Sequence, residues 1–124
     1  MSITKGAEPS GFTALPIGQA VYVPSTNKQQ KFIGIGAFDS RVNETRKKLH
    51  SLFGGSTSIN AIGGFTDSYG RLIKEKVVKI TSNSVVSGFK PKQRKLIMWL
   101  KSKKRLWGQE AIGYEVETDL FFIK

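Results

Sequence analysis

The chain has no cysteine and a single histidine, His50, among its 124 residues. The first absence removes disulfides, thiolate nucleophiles and cysteine-type zinc sites together. The second removes any multi-histidine metal centre. No stretch approaches the roughly 18 consecutive apolar residues that a membrane-spanning helix needs. Residues 1–18 hold no continuous apolar segment and do not resemble a secretory leader. Acidic residues are scarce: nine Asp and Glu stand against twenty Lys and Arg, a formal net charge of +11. From these absences we expect a cytoplasmic, soluble protein with no membrane partner, no cofactor and no metal.

What is present is ordinary for a folded domain. Apolar residues make up 39% and charged residues 23%, enough to build a core and too apolar for wholesale disorder. The length fits one domain that needs no staple. The excess of positive charge draws in polyanions, so the expected partner is nucleic acid or an acidic protein.

Residues 1–18 read as a flexible arm, punctuated by Gly6, Pro9, Gly11, Pro16 and Gly18, and residues 19–124 as a single domain. Gln19 to Ser25 forms a short strand stopped by Pro24, and Phe32 to Phe38 a second extended stretch. A helix follows, capped by Asp39 or Ser40 and assisted by Glu44 near its positive end. Val42, Leu49, Leu52 and Phe53 fall on one face of it, and Gly54 and Gly55 stop it. Ser56 to Thr66 and Arg71 to Ser82 pair as a hairpin about the turn Asp67-Ser68-Tyr69-Gly70. The second of these strands mixes Lys and Glu into both faces, which suits a strand that runs past the body of the sheet. A second helix spans Pro91 to Trp107, buries Leu96, Leu100 and Trp107, and ends at Gly108. Glu110 to Ile123 closes the chain as β structure that turns at Thr118-Asp119.

The element order β-α-β-β-α-β predicts an α+β, two-layer, ferredoxin-like fold: an antiparallel sheet with two helices on one face. Its other face is left exposed, covered by the arm or buried in a homodimer. Three strings, Val21-Tyr22-Val23-Pro24-Ser25-Thr26, Phe53-Gly54-Gly55-Ser56-Thr57 and Gln109-Glu110-Ala111-Ile112, together with Glu75, resemble a diffuse group of small bacterial and mobile-element proteins. The resemblance implies a ferredoxin-like α+β domain and carries no particular activity.

The second helix holds the densest chemistry. Eight of the sixteen residues from Lys90 to Arg105 are Lys or Arg, and none is acidic. Arg94, Lys101 and Arg105 lie together opposite Leu96 and Leu100, a stripe about 16 Å long at 1.5 Å per residue. With Lys90 and Lys104 on the helix and Lys74 and Lys76 on the hairpin, it forms the expected nucleic-acid-binding surface, directed at phosphates. A solvated helix face explains the same residues, although no acids are present to pair with them. Lys103 falls toward the apolar side and snorkels. Tyr22, Phe65, Tyr69 and Tyr114 could stack bases, yet the aromatic motif of RNA-binding ferredoxin-like domains is missing, and core packing accounts for each ring singly.

Other motifs are weaker. Gly34-Ile35-Gly36 lacks the third glycine of a dinucleotide fingerprint, and Gly54-Gly55-Ser56-Thr57 follows a helix where a phosphate loop would open one. Glu115 and Glu117, within an acidic cluster that includes Glu110 and Asp119, could hold Mg²⁺, or could face the basic helix of another subunit. Acid–base residues are too sparse to decide for an enzyme and lean against one. The expected function is a non-enzymatic, basic binding module for nucleic acid. A protein-interaction or inhibitor module, a subunit of a nucleoprotein assembly and an Mg²⁺-dependent hydrolase are the alternatives.

Overall fold

A computed structural model describes residues 14–124. The elements run β1 (Ile17–Pro24), α1 (Ile35–Phe53), β2 (Thr57–Thr66), β3 (Leu72–Ser84), α2 (Phe89–Leu106), β4 (Ile112–Val116) and β5 (Asp119–Ile123). The sheet order is β2-β3-β1-β4-β5, every neighbouring pair antiparallel. Four of these strands and the two helices make the ferredoxin-like arrangement, and β5 adds a fifth strand at the edge. The expected α+β architecture with both helices on one face is what the chain adopts.

The core forms where alternation along the strands meets the helical period. Val21 lies between Ile80 and Tyr114, and Val23 opposite Val78. All five point to the helix side, where Val42 and Leu49 of α1 and Leu96 and Leu100 of α2 close on them. Leu49, Leu96, Leu100, Val21, Val23 and Ile80 are wholly buried. Each such aliphatic side chain contributes roughly 1.5–3 kcal/mol relative to exposure.

α2 and the hairpin match the sequence reading closely. α1 does not: it starts at Ile35, so half of the expected extended stretch Phe32 to Phe38 is helical. Gly34 precedes it at φ 92°, with no side-chain cap. The backbone turns into the helix through this glycine, which lets Phe38 reach the core and leaves Asp39 and Ser40 exposed within the first turns. Glu44 consequently sits mid-helix, where its carboxylate accepts from Trp107 Nε1 at 3.2 Å and from Lys103 Nζ at 3.0 Å. Of the expected arm, residues 1–13 lie outside the described residues, and Ile17 and Gly18 already belong to β1.

β1 is central and short. Its ladder with β3 ends at Pro24↔Val77, while β2 and β3 stay paired as far as Thr66↔Leu72. The β2–β3 hairpin therefore overhangs the sheet, as the mixed faces of its second strand suggested. Proline, without an N–H, ends the central strand at this point. No helix among the described residues is long and apolar enough to cross a membrane.

Candidate functional site

Where β1 stops, a notch opens on the sheet face opposite the helices. One side is the overhanging hairpin, with Gly63, Phe65, Glu75 and Val77; the other is the α2–β4 connection, Gly108 to Ala111, with Leu120 and Phe122 of β5 beyond. Asn27, Lys28 and Gln30 form the rim above Pro24 and Tyr22. The cavity measures about 430 Å³, within the range that holds a drug-sized ligand. It is predominantly apolar, and Phe65, Leu120 and Phe122 remain about half exposed around it.

Its charged lining is Lys28, Glu75 and Glu110, an acidic bias in a chain whose net charge is +11. Glu75 faces the notch because residues 73, 75, 77 and 79 of β3 share the face away from the helices. Thr26 Oγ1 donates to its Oε2 at 2.8 Å, and no Lys or Arg among the described residues forms an ion pair with it. Deeper along the sheet, Tyr22 donates its hydroxyl to Glu115 Oε1, Lys79 Nζ lies 3.3 Å from Glu115 Oε2, and the same ammonium sits over the Tyr22 ring. Burial, and then the hydrogen bond to Glu115, raise the Tyr22 hydroxyl above its ordinary pKa. Gly113 packs closely beside this ring: a Cβ there would stand 3.1 Å from Tyr22 Cδ2, so a larger residue would press the ring by a few tenths of an ångström.

The two loops that wall the notch are tied together from beneath. Arg41 of α1, 8% exposed, donates through Nη1 to the carbonyls of Pro24 (2.8 Å) and Thr26 (2.9 Å), and through Nη2 to that of Trp107 (3.3 Å). Its guanidinium lies 5.3 Å from the centroid of the Trp107 ring. Burial lowers its pKa, an effect partly offset by the carboxylates of Glu75 and Glu44. Gln109 Nε2 donates to the same Thr26 carbonyl at 2.7 Å and to Trp107 O at 3.1 Å. The backbones touch as well, since a Cβ on Gly108 would stand 3.1 Å from Lys28 N.

The basic residues selected from the sequence lie elsewhere. Lys90, Arg94, Lys101 and Arg105 are exposed on α2 and Lys104 is half-buried there; Lys74 and Lys76 are exposed on the hairpin, on its helix-side face. None of the seven lines the notch. Lys103 snorkels as expected and pairs with Glu44. Of the aromatic residues offered for stacking, Tyr114 is buried in the core and Tyr69 is at the hairpin tip, whereas Tyr22 and Phe65 line the notch. The proposed Mg²⁺ pair does not converge: Lys79 and Tyr22 engage Glu115, while Glu117 occupies the β4–β5 turn at φ 58°. His50 is exposed, with its Nε2 2.8 Å from Ser56 Oγ.

Sequence reasoning missed the notch, although two of its three quoted strings, and Glu75, meet there. Tyr22, Pro24 and Thr26 come from the first string and Gln109 to Ile112 from the third. Their polar residues next to a proline or glycine were the available signal.

No family model matches the sequence, and no curated protein sequence does. Similarity appears at the level of fold. A phage SAM lyase in complex with S-methyl-5'-thioadenosine superposes with a TM-score of 0.63 at 17% identity, over 87% of this chain and 88% of that one. The same class of enzyme in its apo state gives 0.59 at 18% identity over the same shares. A Bacillus cereus protein related to NIF3 gives 0.53 at 21% identity, covering 81% of this chain but 24% of that one. These likenesses show a shared fold. They correct the expectation of a nucleic-acid-binding module, because the solved structures that share this fold are a phage SAM lyase and a NIF3-related protein rather than nucleic-acid-binding modules.

Proposed function

We propose that this chain is an enzyme that cleaves a sulfonium nucleoside of the S-adenosylmethionine type, releasing a 5'-thioadenosine thioether. The observation that carries the reading is the notch: an apolar, aromatic-edged cavity holding the Glu75 carboxylate without an ion-pair partner among the described residues, inside a strongly basic chain. A nucleoside sulfonium has the matching character, a flat apolar ring joined to a permanent cation. The similar fold was solved with a thioether of this class.

The residues present divide the work. Glu75, oriented by the Thr26 hydroxyl, supplies the countercharge that draws the sulfonium against an otherwise repulsive field. Phe65 and Phe122 supply apolar faces for the ring and for the cation. When the C–S bond breaks, its electron pair stays on sulfur while an oxygen of the substrate's own carboxylate forms a bond to the carbon that sulfur leaves, closing a lactone. The sulfonium and carboxylate charges cancel, so the apolar walls favour the neutral thioether over the ion. A cytoplasmic setting belongs to the same reading.

The test is incubation of the purified protein with S-adenosylmethionine and chromatographic detection of S-methyl-5'-thioadenosine. Glu75→Gln keeps the shape and removes the charge, and is expected to lower kcat/KM by about 100-fold, the usual scale for one electrostatic group in a dry site. An absence of thioether release, together with no calorimetric binding of S-methyl-5'-thioadenosine, would refute the proposal.

A further inference from the structure

Arg41 is a buried charge that the proposed chemistry does not use. It projects from α1 and does not line the notch, although its guanidinium is within electrostatic reach of the Glu75 carboxylate. Its donors go to backbone carbonyls at the end of β1, in the rim and at the start of the α2–β4 connection. A buried guanidinium is costly to desolvate, and Arg41 spends its hydrogen bonds on three backbone carbonyls at the ends of elements. Two of them, Pro24 and Thr26, flank the end of β1; the third, Trp107, opens the α2–β4 connection. The planar fork fixes the distance between these carbonyls in a way that a single ammonium cannot. Stacking on Trp107 and the second strut from Gln109 hold the same spacing.

We infer that Arg41 is the positioning residue of this site, a clasp that holds the Thr26–Lys31 rim against the Trp107–Ala111 wall in the arrangement the ligand requires. The inference rests on the functional reading above for the identity of the ligand, and on the geometry alone for the clasp. The physical consequence is specific. Without the clasp, the walls visit the binding-competent spacing for only a fraction of the time, and apparent affinity falls by that fraction. Once ligand is bound, the walls are ordered and the chemistry proceeds as before. Loss of the clasp therefore raises KM and leaves kcat nearly unchanged. A merely structural arginine behaves in the opposite way: its removal lowers the amount of folded enzyme, which depresses apparent kcat at constant KM.

The experiment compares wild type, Arg41→Gln, Arg41→Lys and Gln109→Ala by steady-state turnover of S-adenosylmethionine and by hydrogen exchange of the ligand-free proteins. In Arg41→Gln, KM is expected to rise about 10-fold, corresponding to walls that are competent about a tenth of the time, with kcat held within about threefold. Arg41→Lys recovers part of the loss, and Gln109→Ala, which removes one strut, gives a smaller rise. Exchange should quicken at the amides of Gln29 to Ile33 and Gly108 to Gln109 and stay unchanged in β1 and β3. A fall in kcat at constant KM, or exchange that quickens across the whole sheet or nowhere, overturns the inference. If the wild type neither turns over the sulfonium nor binds S-methyl-5'-thioadenosine, the functional reading fails, and the exchange pattern alone decides for or against the clasp.

Discussion

Replacing Gly108 by alanine separates two costs that usually arrive together. Gly54 and Gly108 both sit at positive φ, 93° and 68°, just past the ends of α1 and α2. Any L-residue is strained there, by roughly 1–2 kcal/mol. Both substitutions also stiffen the unfolded chain, a gain of about 0.4–1 kcal/mol that is common to the two and cancels in the comparison. The difference is the surroundings. A Cβ on Gly54 meets nothing within 4 Å, whereas on Gly108 it lies 3.1 Å from Lys28 N and Cβ and 3.3 Å from Lys28 Cα. Backbone atoms cannot swing aside like a side-chain tip, so the methyl overpacks the contact at a further cost of about 1–3 kcal/mol. In a domain of this size 1 kcal/mol moves Tm by about 4 °C. Gly54→Ala should therefore lower Tm by about 4 °C, and Gly108→Ala by about 12 °C. Calorimetry of the two variants beside wild type reads both values. The contact also joins the notch walls, so Gly108→Ala should weaken binding of S-methyl-5'-thioadenosine while Gly54→Ala does not. Equal drops in Tm would show that the Lys28 segment yields freely, and the argument that it forms a fixed wall would fail.

Other outcomes follow from the core and the hairpin. Leu96→Ala removes a wholly buried side chain between α2 and the sheet and should cost about 2–5 kcal/mol in urea denaturation; a loss under about 1 kcal/mol would contradict the packing of α2 described above. Asp67 caps the hairpin turn by accepting from the backbone amides of Tyr69 and Arg71 and from the Arg71 guanidinium, each at 2.8–2.9 Å. These bonds, chiefly the backbone one from Arg71, hold its carboxyl below the ordinary value of 3.8. The order they give the turn is thus complete above that value and is lost as pH falls through the lower folded one. Amide shifts of Tyr69 and Arg71 should titrate in that acid window, and Asp67→Asn should abolish the titration.

Legibility in the sequence tracked how local the determining forces were. α2 could be read because its apolar stripe, its first-turn Pro91 and its Gly108 stop all lie within twenty residues. The β2–β3 turn could be read because Asp67 and Gly70 dictate it between themselves. The start of α1 could not, since Gly34 and Gly36 look like breakers until Phe38 is seen to be drawn into the core by strands distant in sequence. The site was harder still. Glu75, Thr26 and Gln109 are far apart along the chain and meet only because β1 ends where β3 continues, a matter of register rather than composition. Charge misled for a related reason. The densest Lys and Arg cluster marks the solvated side of α2, while the notch is distinguished by two carboxylates that the overall charge conceals.

The early stop of β1 has a consequence for how such a protein can change. The rim from Asn27 to Lys31 joins the sheet only through the bridge Thr26↔Phe32. It is closed on itself by Asn27, whose side chain accepts from Gln29 and Lys31, and is held from outside the sheet by the contacts of Thr26 and Lys28 with the α2–β4 connection. No strand register passes through it. Residues can be inserted or exchanged there without shifting any side chain of the sheet from one face to the other, which a change of one residue inside β1 would do along its whole length. In the proposed function the rim can thus vary apart from the strands that carry Glu75, Phe65 and Phe122, and a library confined to residues 29–31 would sample rim contacts while leaving the sheet intact.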